Sequence, residues 1–131
     1  MLYFVFMGTM LNTLVVDDVE MVRHRITELI DELDNVGPIT HAGTYEEGLQ
    51  QLEIVKPDLV LLDISLPDKN GIELLKHISR KFPKTKVIVI SNHSNEYYKN
   101  LCSSLGALFF IDKSKDYDLI PEYISRIELP V

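Results

Sequence analysis

Apolar residues along the chain follow two alternating rhythms. Four short unbroken runs, Leu14-Val15-Val16, Leu59-Val60-Leu61-Leu62, Val87-Ile88-Val89-Ile90 and Leu108-Phe109-Phe110-Ile111, are too short for helices and suit strands buried on both faces. They predict strands over Asn12 to Asp17, Leu59 to Leu62, Val87 to Ile90 and Ala107 to Ile111, with a weaker strand over Ile39 to Gly43. Between them, apolar residues recur at helical spacing: Val22, Ile26, Leu29, Ile30 and Leu33; Ile72, Leu75, Ile78 and Phe82; Tyr98, Leu101, Cys102 and Leu105; Ile120, Tyr123, Ile124 and Ile127. Another helix is predicted from Thr44, whose pairing with Glu47 makes a capping box, to about Val55.

The punctuation agrees with this division. Asp18 suits the cap of the first helix, which should stop before Gly37-Pro38. Lys56-Pro57 and Pro83 end the second and third helices, Asp68-Lys69-Asn70-Gly71 is a turn, Gly106 stops the fourth helix, and Pro121 fits only the first turn of the last. Strands alternating with helices call for βαβ crossovers and a parallel sheet covered on both faces. No repeat, linker or low-complexity tract divides residues 12–127.

What closes the strands matters more than the strands themselves. Asp17-Asp18 closes the first, Asp63 the central one, Ser91 the fourth and Lys113 the fifth. In a parallel sheet these ends share one edge, where open α/β sheets bind ligands. Carboxylates brought close together raise one another's pKa, and a divalent cation relieves the repulsion. Mg²⁺ suits such hard oxygen ligands and leaves room for a phosphate oxygen. Asp63 is then a candidate nucleophile toward a phosphoryl group, with Lys113 as a mobile positive charge and Ser91 as a hydroxyl donor. Taken singly, Asp17-Asp18 reads as a helix cap, Lys113 as a solvated lysine and Ser91 as a loop cap.

Length and charge narrow the partners. The 131 residues fit one domain, and 46% apolar with 25% charged residues is ordinary for a folded soluble protein. A formal net charge of -7 argues against direct nucleic-acid binding, since Arg23-Arg25 and Lys81-Lys84-Lys86 are too short and interrupted to form a basic patch. The single cysteine, Cys102, fits a reducing cytoplasm and reads as a packed thiol in a helical stripe. Residues 1–10 begin with an apolar stretch, Met1 to Met7, that lacks a basic start or cleavage site and falls far short of the roughly 20 residues a membrane helix needs. They read as a tail, from an upstream start or an expression remnant, with residues 11–131 as the domain.

The acid pair, Asp63 with Leu66-Pro67 and then Gly71, Ser91, and Phe110 ahead of Lys113 resemble, in that order, the receiver domain of two-component response regulators. The resemblance covers about residues 12–127 and joins five separated positions to matching strand–loop contexts. It implies a flavodoxin-like, doubly wound, five-stranded parallel sheet in the order 2-1-3-4-5 with helices on both faces. It further implies an Asp63 phosphoacceptor, Mg²⁺ held by Asp17, Asp18, Asp63 and the Ser65 backbone carbonyl, and Ser91 with Phe110 as switch residues. The phosphodonor would be a sensor histidine kinase or phosphotransfer protein. The fourth helix, fifth strand and fifth helix, from Asn95 to about Ile127, would form the output face toward an effector protein or a DNA-binding domain beyond this chain. Phosphorylation-dependent homodimerisation and slow self-dephosphorylation also belong to this expectation.

The chain departs from the family pattern in several places. Ser114 follows the lysine where many receivers carry proline, often after a cis bond; Asn92 stands where a small residue is usual; and Ser65 and His93 occupy positions that influence phosphate lifetime. His93 could also act as a general base, although a solvent-facing loop histidine is the commoner case. An aspartate-nucleophile Mg²⁺ phosphatase would place its nucleophile on the first strand in an Asp-x-Asp pattern, usually with a lid domain. A flavodoxin-like nucleotide binder would need a phosphate-cradling first loop, which Asp17-Asp18-Val19-Glu20 would repel. A degenerate receiver acting only as an interaction scaffold is the remaining rival.

Overall fold

The computed structural model of the chain describes residues 10–128, so the predicted tail, Met10 apart, and residues 129–131 lie outside the described residues. Five strands, β1 (Leu11–Val16), β2 (Val36–Ala42), β3 (Leu59–Asp63), β4 (Lys86–Ser91) and β5 (Phe109–Asp112), pair in parallel in the order β2-β1-β3-β4-β5. Five helices connect and follow them: α1 (Glu20–Ile30), α2 (Tyr45–Val55), α3 (Gly71–Lys81), α4 (Glu96–Ser104) and α5 (Ile120–Ser125), the last preceded by a 3-10 turn over Tyr117–Leu119. This is the expected doubly wound, flavodoxin-like arrangement in the order 2-1-3-4-5. No helix among the described residues is long and apolar enough to cross a membrane.

Alternation of side chains along each strand splits the core into two layers. Leu14, Val16, Val60, Leu62, Val87 and Val89 pack with Leu52 of α2, Leu74, Leu75 and Ile78 of α3 and Cys102 of α4. Leu11, Val15, Leu59, Leu61, Ile88, Ile90 and Ile111 point the other way and meet Ile26 and Ile30 of α1 with Ile120 and Ile124 of α5. Every residue of β3 is buried, which explains why Leu59 to Leu62 are apolar without a break instead of alternating, ahead of the closing Asp63. Cys102 is fully buried, in keeping with a packed thiol, and burial pushes its pKa up.

Several expected boundaries shift. The helix stop expected at Gly37-Pro38 falls earlier: α1 ends at Ile30, Leu33 lies beyond it, and β2 begins at Val36 and runs through Gly37 and Pro38. A proline is tolerated there because β2 is an edge strand, and the β1–β2 register shifts between Leu11 and Thr13 opposite it. Asp18 does not cap α1: the cap position is Val19, and it makes no side-chain cap hydrogen bond. The acid next to it turns the chain instead, as Asp17 Oδ1 accepts from the Val19 N–H at 2.9 Å. The last helix is shorter than its apolar spacing suggested, with Pro121 in its first turn and Ile127 buried beyond its end.

At α2 the Thr44 half of the predicted capping box forms, with Thr44 Oγ1 accepting from the Glu47 N–H at 3.1 Å, while the Glu47 carboxylate accepts from the Gly43 N–H at 3.5 Å instead of from the Thr44 N–H. A second acid, unforeseen, reaches this helix start across the fold: Asp68 accepts from the Tyr45 N–H at 2.8 Å and the Glu46 N–H at 3.2 Å. These bonds hold the Asp68 carboxyl below its usual range and tie the loop after β3 to α2.

Candidate functional site

Strand pairing fixes the site because β1, β3, β4 and β5 all deliver their last residues to one edge. Asp17 follows β1, its N–H donating to the Ala42 carbonyl of β2 at 3.0 Å, and Asp63 is the last residue of β3. The two acids are built alike. Each uses Oδ1 to accept a backbone N–H two residues on, Asp17 from Val19 and Asp63 from Ser65, both at 2.9 Å. Each then presents Oδ2 to the same ammonium: Lys113 Nζ donates to Asp17 at 2.6 Å and to Asp63 at 3.1 Å. Asp17 and Asp63 are only 1% and 3% exposed, whereas Asp18 faces solvent.

Charge balance at this edge is uneven. Asp17, Asp18 and Asp63 each offer a carboxylate oxygen, and these atoms lie within 4.8 Å of one another. Burial pushes the Asp63 carboxyl above its ordinary range; the Asp17 charge adds to that, and the Ser65 N–H and Lys113 only partly offset it. Burial alone would lower the Lys113 ammonium, but its hydrogen bond to Asp17 and the charges of both acids together carry it upward, so it is firmly protonated. The donor set is all hard oxygen, and Asp18 leaves it open to solvent. Those features fit a hard divalent cation such as Mg²⁺.

Ser91, the last residue of β4, is fully buried, and its Oγ accepts from the His93 N–H at 2.9 Å. Its carbonyl accepts from the Lys113 N–H at 2.9 Å, so the hydroxyl and the amine sit on neighbouring strands joined at their tips. Phe110 is half-buried against the layer that contains α4, while Phe109, on the opposite face, stacks on Tyr123 at 4.5 Å. Ser65 is exposed and lines an open groove of about 350 Å³ with Leu66, Pro67, His93 and Tyr98. His93 stands on its rim, its ring centroid 5.5 Å from that of Tyr98.

Beneath the loop after β3, Gly71 donates to the Ile64 carbonyl at 2.9 Å, and a Cβ there would lie 2.6 Å from both the Asp63 carbonyl oxygen and Ile64 Cα. Only glycine allows that approach. The peptide between Lys113 and Ser114 is trans, since no cis bond occurs among the described residues.

One acid beside the site carries no signal in the sequence. Asp112, which the strand prediction left out by ending at Ile111, is the last residue of β5 and is buried. Its carboxylate accepts from Ser94 Oγ at 2.6 Å, Ser114 Oγ at 2.6 Å and the Ser114 N–H at 2.9 Å. These donors, the Ser114 hydroxyl foremost, hold its pKa down at about 2. An acid followed by Lys113 and Ser114 looks solvated in the sequence; only the nearness of Ser94, eighteen positions away, makes it a buried junction.

Comparison with known proteins places the geometry in context. The family model described as "Response regulator receiver domain" matches residues 13–125. The protein named CcdB of Bacillus subtilis (strain 168) is 35% identical over 121 residues, covering 90% of this chain and 98% of that protein. A "Protein-glutamate methylesterase/protein-glutamine glutaminase 2" of Koribacter versatilis is 35% identical over 112 residues, covering 82% of this chain but 30% of that protein. The crystal structure of the response regulator domain of Thermotoga maritima CheB superposes with a TM-score of 0.78 at 29% identity, over 89% of this chain and 92% of that one. The chain thus spans about a third to a half of the length of many curated relatives that it matches.

Proposed function

The chain belongs to the response regulator receiver domain family, and on that premise we propose that it is the phosphoacceptor module of a two-component phosphorelay, formed by residues 11–131, with Asp63 as the residue modified. The observation that carries this reading is the bridging of Asp63 Oδ2 and Asp17 Oδ2 by one lysine, with Asp18 beside them at the solvent edge. An Asp63 oxygen attacks the phosphorus of a phosphohistidine on a sensor kinase or phosphotransfer protein. The P–N bond breaks, an O–P bond forms, and the departing imidazole takes up a proton from solvent. Bound Mg²⁺ would supply charge neutralisation at the phosphoryl oxygens, held by Asp17, Asp18, Asp63 and the Ser65 backbone carbonyl.

The remaining roles fall to groups of the chain itself. Lys113 exchanges its contact with Asp63 for a phosphoryl oxygen, and Ser91 donates its hydroxyl to another. Ser91 moving toward the phosphoryl group and Phe110 turning inward bias the face formed by α4, β5 and α5, which meets an effector protein, a DNA-binding domain or a second copy of the chain. The module acts stoichiometrically and dephosphorylates itself slowly, without nucleic-acid or membrane contact of its own, in the cytoplasm. An aspartate-nucleophile phosphatase is disfavoured because Asp63 closes β3 rather than the first strand. A pure scaffold would have no use for the buried Asp63–Lys113 contact. Acetyl phosphate with Mg²⁺ is expected to place one phosphoryl group on the chain, and Asp63→Asn to abolish it. A label that persists on the variant would reject the assignment.

A further inference from the structure

Asp112 is a buried acid that the chemistry above does not use, and its three partners belong to two different loops. Ser114 lies just past Lys113, and its two bonds fold the chain after β5 into a tight turn that carries the lysine. Ser94 belongs to the loop between β4 and α4, the same loop whose His93 N–H is accepted by Ser91 Oγ. At 2.6 Å the Ser94 bond is short and charge-assisted, which places it among the stronger side-chain hydrogen bonds. A carboxylate with three donors and a pKa of about 2 stays ionised throughout the working range, so the bond persists there.

We propose that Asp112 is a positioning residue of the phosphorylation site, latching the β4–α4 loop to the tip of β5 through Ser94 and so opposing the movement of Ser91 toward Asp63. The inference rests on the phosphoacceptor reading of Asp63. When the Ser91 Oγ turns to donate to a phosphoryl oxygen, it leaves the His93 N–H that it now accepts, and residues 92–94 must follow. Ser94 held by Asp112 ties that short loop across to the neighbouring strand. Loop rearrangement therefore costs the Ser94–Asp112 bond. Any ligand that draws Ser91 inward binds more weakly by the amount of that cost. Mg²⁺ binding alone leaves Ser91 where it is and should not be affected.

The test compares two midpoints on the full chain, Mg²⁺ alone and beryllofluoride at saturating Mg²⁺, read from the amide resonances of residues 63–65 and 91–94. Ser94→Ala is expected to tighten the beryllofluoride midpoint about 10- to 100-fold, the range of one hydrogen bond to a charged group, and to leave the Mg²⁺ midpoint within about twofold. Ser94→Thr, which keeps the hydroxyl, should restore the parent value. An unchanged or weakened beryllofluoride midpoint, or equal shifts in both, overturns the latch while the phosphoacceptor reading stands. Failure of the parent chain to bind beryllofluoride overturns both.

Discussion

At the carboxyl edge of the sheet, Asp17, Asp18, Asp63 and Lys113 stand beside Asp112, Ser94 and Ser114, and the two groups handle negative charge in opposite ways. In the first, three carboxylates crowd together, one ammonium reaches only two of them, Asp17 and Asp63, and burial drives Asp63 toward its protonated form. In the second, one carboxylate collects three donors and sits at about 2. The first arrangement is costly to the fold and would be relieved by an added cation, whereas the second is complete without one. The proposed chemistry thus lies where charge is left unbalanced, and geometry is fixed where it is balanced. Lys113 belongs to both, because its amine serves the first cluster while it sits in the turn that Asp112 and Ser114 of the second close on either side of it.

Removing the amine should break the first cluster most severely. Lys113→Ala is expected to lower acetyl phosphate labelling of Asp63 by roughly 100- to 1000-fold, the usual scale for losing one preorganised donor. Mg²⁺ affinity, read by titration, should change far less, since the lysine contacts carboxylates and would contact phosphate, not the metal. The reverse order of effects would count against its role. Next in size is Gly71→Ala, whose added methyl meets the Asp63 carbonyl and Ile64 Cα at 2.6 Å. Overpacking against backbone should cost about 1–3 kcal/mol in urea unfolding and weaken labelling too. A variant as stable as the parent would show that the loop under Asp63 yields more readily than its packing suggests.

Asp63→Asn sharpens the comparison through stability. A carboxyl whose folded pKa is raised contributes stability that is fully present below its unfolded pKa and is lost as pH rises through the folded value. At neutral pH without metal the native chain therefore carries a penalty, which the uncharged amide lacks. Asp63→Asn should raise the thermal midpoint at pH 7 by about 3 °C, what roughly 1 kcal/mol gives at this size, and the gain should vanish near pH 3. A lower midpoint at pH 7 would mean that the contact with Lys113 outweighs the burial of the acid.

How far these clusters could be read in advance differs for a physical reason. Asp17, Asp18, Asp63, Ser91 and Lys113 each end an apolar run, and parallel strands necessarily deliver their ends to one edge, so one-dimensional pattern was enough to bring them together. The Thr44 half of the capping box was legible because its partners are three residues apart. Asp112 and Asp68 were not, since their partners come from Ser94 and from the start of α2, contacts that depend on how loops fold over the edge. Asp18 misled for a related reason. It sits where a helix cap belongs, but Asp17 had already turned the chain with its own Oδ1, leaving Asp18 free at the solvent edge.

The smallest expected effect tests the balanced cluster alone. A carboxyl whose folded pKa is depressed contributes stability present above its unfolded pKa and lost as pH falls through the folded value. For Asp112 that window runs from about 4, the ordinary aspartate value, down to about 2. The carboxyl carbon resonance of Asp112 should therefore titrate near the bottom of that window in the parent chain. Replacing both Ser94 and Ser114 by alanine removes the two hydroxyl donors and leaves only the backbone N–H of residue 114, so the midpoint should climb back toward 4, and the stability at pH 7 that the depression contributes should fall with it. A parent midpoint already at the ordinary value would mean that the two hydroxyls do not hold the carboxylate, and the contrast between the two clusters would then reduce to burial.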